Sequence, residues 1–138
     1  VQILSQTAEY AVRAVVYLAS AEPGRLVRVG EVAEAIGVPQ NYLSKTLHQL
    51  VRAGVLASTR GPAGGFRLAS PAERMTLVDV VAPFDSLEPR GCLLGRPVCS
   101  DRTACPAHWR WKPVTQSARD FLEHTTVADL ASDRTGRR

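Results

Sequence analysis

The chain has 138 residues, 45% hydrophobic and 22% charged, with Lys+Arg 17 against Asp+Glu 13 and a formal net charge of +4. That is one domain's worth of ordinary globular composition with no run of about 18 apolar residues, which excludes membrane-spanning, collagen-like and wholly disordered chains. The basic balance points to nucleic acid as a partner. Val1 to Tyr10 lacks the basic-then-apolar design of a secretory leader, so a cytoplasmic, reducing setting and no membrane partner are expected.

Ala11, Ala14, Val15, Leu18 and Ala19 recur at helical spacing and predict a first helix that Pro23-Gly24 ends. Val29, Val32, Ala33 and Ile36 predict a short second helix closed by Gly37. Leu43, Leu47, Leu50 and Val51 predict a third, ending at Gly54, with Pro39 tolerated in its opening turn. Two short helices around a tight glycine turn read as a helix-turn-helix. The opposite face of the third helix carries Asn41, Ser44, Lys45, His48 and Arg52. Such groups can hydrogen-bond base edges or phosphates in a major groove, although any surface helix has a polar side.

Val55 to Arg60 then reads as a strand, Gly61-Pro62-Ala63-Gly64-Gly65 as a flexible tip and Phe66 to Ala69 as the returning strand, together a β-hairpin wing. Glycine-rich tips let backbone N–H groups approach phosphates, and Arg60 and Arg67 flank this one with positive charge. Between Arg28 and Arg74 six basic residues face three acidic ones, so the surplus sits where a nucleic-acid surface needs it.

Thr76-Leu77-Val78-Asp79 has the form of a capping box and starts a fourth short helix, which Pro83 should close. From Pro106 onward Trp111, Val114, Ala118, Phe121 and Leu122 form the stripe of a long helix, in which Pro113 is expected to cause a kink or break. Thr126-Val127-Ala128-Asp129 repeats the capping-box form and begins a last short helix. A long helix rich in bulky apolar residues needs a surface beyond a small winged domain. A two-fold partner supplies one and would present two recognition helices to a pseudo-palindromic operator; folding back on its own domain is the alternative. The expected architecture is mostly α: a winged helix-turn-helix domain over 1–84, a cysteine-bearing loop over 85–105, a dimerisation helix with a short terminal helix over 106–131, and a basic tail over 132–138.

Cys92, Cys99 and Cys105 lie in that loop, separated by six and five residues, and His108 follows the last with two residues between them. An odd number of cysteines argues against a disulfide framework. Three thiolates and an imidazole make a set of four soft ligands, suited to zinc, copper(I) or an iron-sulfur cluster. Structural zinc sites usually use tight cysteine pairs, so the wide spacing favours a larger inorganic core; zinc and bare redox-active thiols stay open as alternatives. Cys105 precedes the start of the long helix, where unpaired N–H groups favour a thiolate. A cysteine-nucleophile enzyme would pair Cys105 with His108, but no acidic orienter is apparent beside them in the sequence.

Leu4-Ser5 with Tyr10 to Ala14, Asn41-Tyr42-Leu43, Arg60 to Phe66, the cysteine triplet and Thr126 to Leu130 together resemble the Rrf-two family of winged-helix regulators, the IscR, NsrR and RirA type. The resemblance covers nearly the whole chain. It implies a homodimeric regulator of transcription, bound to double-stranded DNA, whose iron-sulfur cluster senses iron, cluster supply, oxidants or nitric oxide. A 2Fe-2S cluster is expected in preference to 4Fe-4S. The resemblance makes Cys92, Cys99 and Cys105 ligands, with His108, or Glu9 of a partner subunit's first helix, as the fourth. It places Asn41, Tyr42, Ser44, Lys45 and His48 on the recognition surface, with a core-facing Tyr42 as the alternative, and Arg60, Gly61, Pro62, Gly64 and Gly65 on the wing; Arg28 and Arg67 are expected to add DNA contacts through their charge. Ser44 stands where IscR-like proteins carry an acidic side chain, so their operator sequence does not transfer.

Overall fold

The computed structural model describes residues 4–85, 94, 101, 102 and 104–132. Helix α1 spans Gln6–Ala19, α2 Val29–Ile36 and α3 Gln40–Arg52; β1, Leu56–Thr59, and β2, Gly65–Leu68, form the hairpin. After a 3-10 turn at Ala72–Arg74 come α4, Leu77–Val81, α5, His108–His124, and α6, Val127–Ser132.

Helix α1 begins before the first apolar repeat because Ser5 caps it, its Oγ accepting the Ala8 N–H at 3.2 Å. Its inner face is small: Ala8, Ala11, Ala14 and Val15 are fully buried. Short side chains let several elements approach one helix, and α1 packs against α2, α3, β2, α4 and α6. On α3, Leu43, Leu47 and Leu50 are fully buried. Each such leucine stabilises the fold by about 1.5–3 kcal/mol, so together they fix which face of α3 stays outside. Gly37 closes α2 in the left-handed region at φ 71°. Glu31 ties α2 to α1, accepting from Tyr17 Oη at 2.7 Å and Arg25 Nη2 at 2.6 Å. The Tyr17 hydroxyl, then Arg25, hold the Glu31 carboxyl below its ordinary range.

The wing is antiparallel, with Leu56 opposite Leu68 and Thr59 opposite Gly65. Val27 adds a single-residue third strand, exchanging hydrogen bonds of 2.9 and 2.8 Å with Phe66. Both capping boxes form: Thr76 with Asp79, and Thr126 with Asp129. The two meet across an antiparallel bridge, in which Leu77 N–H donates to the Thr125 carbonyl and Val127 N–H to that of Met75. Leu122 and Val127 thereby join the core of the winged part.

The expected break at Pro113 does not occur, and α5 continues through it. A proline five residues into a helix deprives one carbonyl, that of Trp109, of its ladder bond, while the Trp111 N–H keeps its bond to Ala107 at 2.8 Å. Only His108 and Leu122 of α5 are buried; Val114 is 51% and Phe121 56% exposed.

Candidate functional site

Because three leucines turn one side of α3 inward, Asn41, Lys45, His48, Gln49 and Arg52 are left exposed, with Ser44 half-buried among them. Ser44, Lys45, His48, Gln49 and Arg52 line one shallow surface. A neighbouring cleft of about 290 Å³ between this helix and the wing is lined by Arg28, His48, Ser58, Thr59, Arg60, Gly61, Gly64 and Gly65, among others. His48 links the two surfaces. Its Nδ1 lies 2.7 Å from the Ser44 carbonyl, which can only accept, so this nitrogen carries the proton. Its ring meets that of Phe66 edge-on at 5.5 Å.

Several expected contact residues have structural duties here. Arg28 Nη2 donates to the Pro62 carbonyl and lies 3.5 Å from that of Gly61, clasping the wing tip against the start of α2. Gly64 is buried, and a Cβ there would lie 2.1 Å from the Thr59 carbonyl oxygen; at Gly65 it would lie 2.7 Å from that of Val27. Tyr42 is 41% exposed, yet its hydroxyl is 2.7 Å from Thr7 Oγ1. Arg67 is exposed but points away from the cleft, lining a second pocket with the end of α1 and the 3-10 turn. The sequence does not single out Gln49, Ser58 and Thr59; Gln49 lies one position beyond His48, off the i, i+3, i+4 spacing of the polar face.

Cys92 and Cys99 lie outside the described residues. Cys105 is 7% and His108 4% exposed, brought together at the start of α5, where the His108 N–H donates to the Cys105 carbonyl at 3.0 Å. His108 Nε2 donates to Asp101 Oδ1 at 2.7 Å, and Lys112 Nζ reaches both Asp101 oxygens at 3.1 and 3.0 Å. His108 first, and Lys112 second, hold the Asp101 carboxyl below the usual carboxylate range. The acidic orienter that the sequence did not reveal is therefore present. A carboxylate fixing one imidazole nitrogen is the common outer support of a metal-bound histidine, so a ligand role for His108 falls to Nδ1. The pair also fits soft-metal chemistry in donor type, a thiol and an imidazole at the positive end of a 17-residue helix. Glu9 is exposed in the first turn of α1. Among the described residues, no three His, Cys, Asp or Glu side chains gather as a metal site, and no helix is long and apolar enough to cross a membrane.

The profile of the Rrf2 family, described as an iron-dependent transcriptional regulator, matches residues 4–133. A protein of Aquifex aeolicus (strain VF5), inferred to be an HTH-type transcriptional regulator, is 37% identical over 131 residues, 93% of this chain and 90% of its own. Among solved structures, CymR (YrzC), the global cysteine regulator of B. subtilis, superposes with a TM-score of 0.79 at 24% identity, covering 94% of this chain and 95% of that one. T. potens IscR gives 0.74 at 24% identity, covering 95% and 87%. The helix-turn-helix, the wing and the family match converge: the chain belongs to the Rrf2 family of DNA-binding transcriptional regulators and is not an enzyme.

Proposed function

We propose that the chain is a cytoplasmic, homodimeric regulator that grips a pseudo-palindromic operator with α3 and the wing and senses redox, iron or nitric-oxide status through an iron-sulfur cluster. The observation that carries the sensing half is the buried pair Cys105 and His108, with Asp101 fixing the imidazole. Cys92, Cys99 and Cys105 would hold the cluster, with His108, or Glu9 of a second copy, as fourth ligand. When bound, such a cluster supplies an oxidisable, iron-dependent centre. Around it Lys112 neutralises Asp101, and Asp101 keeps the His108 ring in one orientation.

Anaerobic purification tests this half. The wild type is expected to be brown or red, with iron and acid-labile sulfide in stoichiometric amounts, and Cys105→Ser to lose the colour and most of the iron. A colourless wild type containing zinc would favour the zinc-stabilised regulator, and one without metal the thiol switch.

In the DNA half, Asn41, Ser44, Lys45, His48 and Gln49 face the major groove, and Arg60 follows the backbone from the wing. Each phosphate contact adds about 0.9 to the slope of log affinity against log salt. Lys45→Ala and Arg60→Ala are each expected to reduce that slope by about 1 and to weaken all sequences evenly. An unchanged slope in salt titrations by fluorescence anisotropy would return these two residues to a merely solvated face.

A further inference from the structure

The first turn of α1 is anchored from two sides. On one side the Ser5 N–H donates to Asp85 Oδ2 at 2.8 Å, across 80 residues of chain. Asp85 lies just past α4 and opens the stretch of sequence that carries Cys92, Cys99 and Cys105. On the other side Thr7 Oγ1 and the Tyr42 hydroxyl share a hydrogen bond of 2.7 Å, and the Tyr10 ring meets that of Tyr42 edge-on at 5.6 Å. Tyr42 belongs to the first turn of α3, next to Asn41 and two residues before Ser44. Ser5, Thr7 and Tyr10 thus form a short polar ridge from the exit of α4 to the entrance of the recognition helix. Farther along α1, Arg13 donates to the Ile36 carbonyl at the end of α2, fastening the helix-turn-helix corner to the same helix.

The ridge has few ways to yield. Ser5 caps α1, so moving it unseats the first turn of the helix. The inner face of that helix is close-packed alanine, which leaves it to shift as a body rather than deform. The bond to Asp85 is charge-assisted, among the stronger hydrogen bonds a surface can offer. A tyrosine turned toward DNA would leave its hydroxyl for a base or phosphate; this one is committed to Thr7.

We propose that Tyr42 is a positioning residue, coupled through Thr7 and the first turn of α1 to Asp85, so that a displacement at the start of the cysteine segment changes how α3 is set against DNA. This rests on the sensing role proposed above and adds the route by which it reaches the recognition helix. A direct DNA contact by Tyr42 would change affinity equally in the metal-loaded and metal-free states, whereas a coupling residue changes their ratio.

The test uses full-length Tyr42→Phe, Thr7→Val and Asp85→Asn, together with the Thr7→Val/Tyr42→Phe double variant. Each is prepared anaerobically in loaded and metal-free forms and titrated on one duplex, selected from a randomised pool by the wild type. The wild-type ratio of affinities is expected between about 5 and 150. Each single variant should bring it to within about twofold of one while keeping the wild-type visible spectrum, and the double variant should do no more than either single, since both remove the same bond. A wild-type ratio that Tyr42→Phe and Thr7→Val leave intact, or an equal weakening of both states, overturns the coupling alone. A wild-type ratio of one removes the sensing reading and the coupling with it.

Discussion

Gly64→Ala is expected to lose at least tenfold in operator affinity while the helices stay folded. The reason is local and steric. The wing turn closes through the Gly64 N–H on the Gly61 carbonyl at 2.9 Å, and this packs the Gly64 Cα so tightly that a methyl group would sit 2.1 Å from the Thr59 oxygen and 2.9 Å from the Arg60 carbonyl carbon. Those neighbours are backbone and cannot swing aside, so the tip must open. Overpacking of this kind costs about 1–3 kcal/mol. It falls on a hairpin of four residues per strand, whose core anchor is Phe66 and whose outer brace is Arg28. Circular dichroism should show near wild-type helicity with a lowered melting temperature. Wild-type affinity in this variant would mean that the wing takes no part in binding.

Val114→Glu combined with Phe121→Glu should convert the proposed dimer into a monomer. Seven residues apart on α5, these side chains share one face and are both more than half exposed in the single chain. Charge on an already exposed position seldom disturbs a protomer by more than about 0.5 kcal/mol, so the folded monomer should survive. Two like charges brought against their symmetry mates would not be tolerated in an apolar interface. Light scattering after gel filtration should report half the wild-type mass. Affinity for a two-half-site operator should fall by about 10²- to 10⁴-fold as the second contact ceases to be intramolecular. A wild type that already runs as a monomer would show that the stripe on α5 is not a self-association surface.

Most of the fold is legible in the sequence because its elements rest on local signals. The leucine stripe of α3, the left-handed Gly37 and the two Thr-x-x-Asp capping boxes each declare themselves within a turn or two. Features that depend on distant partners are not. The pairing of Val27 with Phe66 involves one residue of an irregular segment and leaves no periodic trace. Ser5 lacks the acidic residue at the third helical position that would complete a capping box, so the sequence points to a start of α1 at its first apolar repeat. At the candidate site, residue type marked the basic face of α3 but not the division of labour upon it. That Arg28 holds the Pro62 carbonyl and Tyr42 the Thr7 hydroxyl follows from the tertiary position of the wing and of α1. Asp101 is likewise seven residues from His108 with no helical register to align them. Pro113 does not break α5, because the helix continues past it with the loss of one ladder bond.

Occupancy of the cysteine segment is proposed to govern the hold of α3 and the wing on DNA, and one pair of titrations measures this most directly. Protein purified without oxygen is divided, one half stripped of metal by chelation, and both halves are titrated anaerobically with the same selected duplex at fixed salt. A difference of at least fivefold in Kd, restored when iron and sulfide are returned, is the predicted result. Identical curves for the two halves, from a sample whose iron and sulfide content was verified before division, would contradict it.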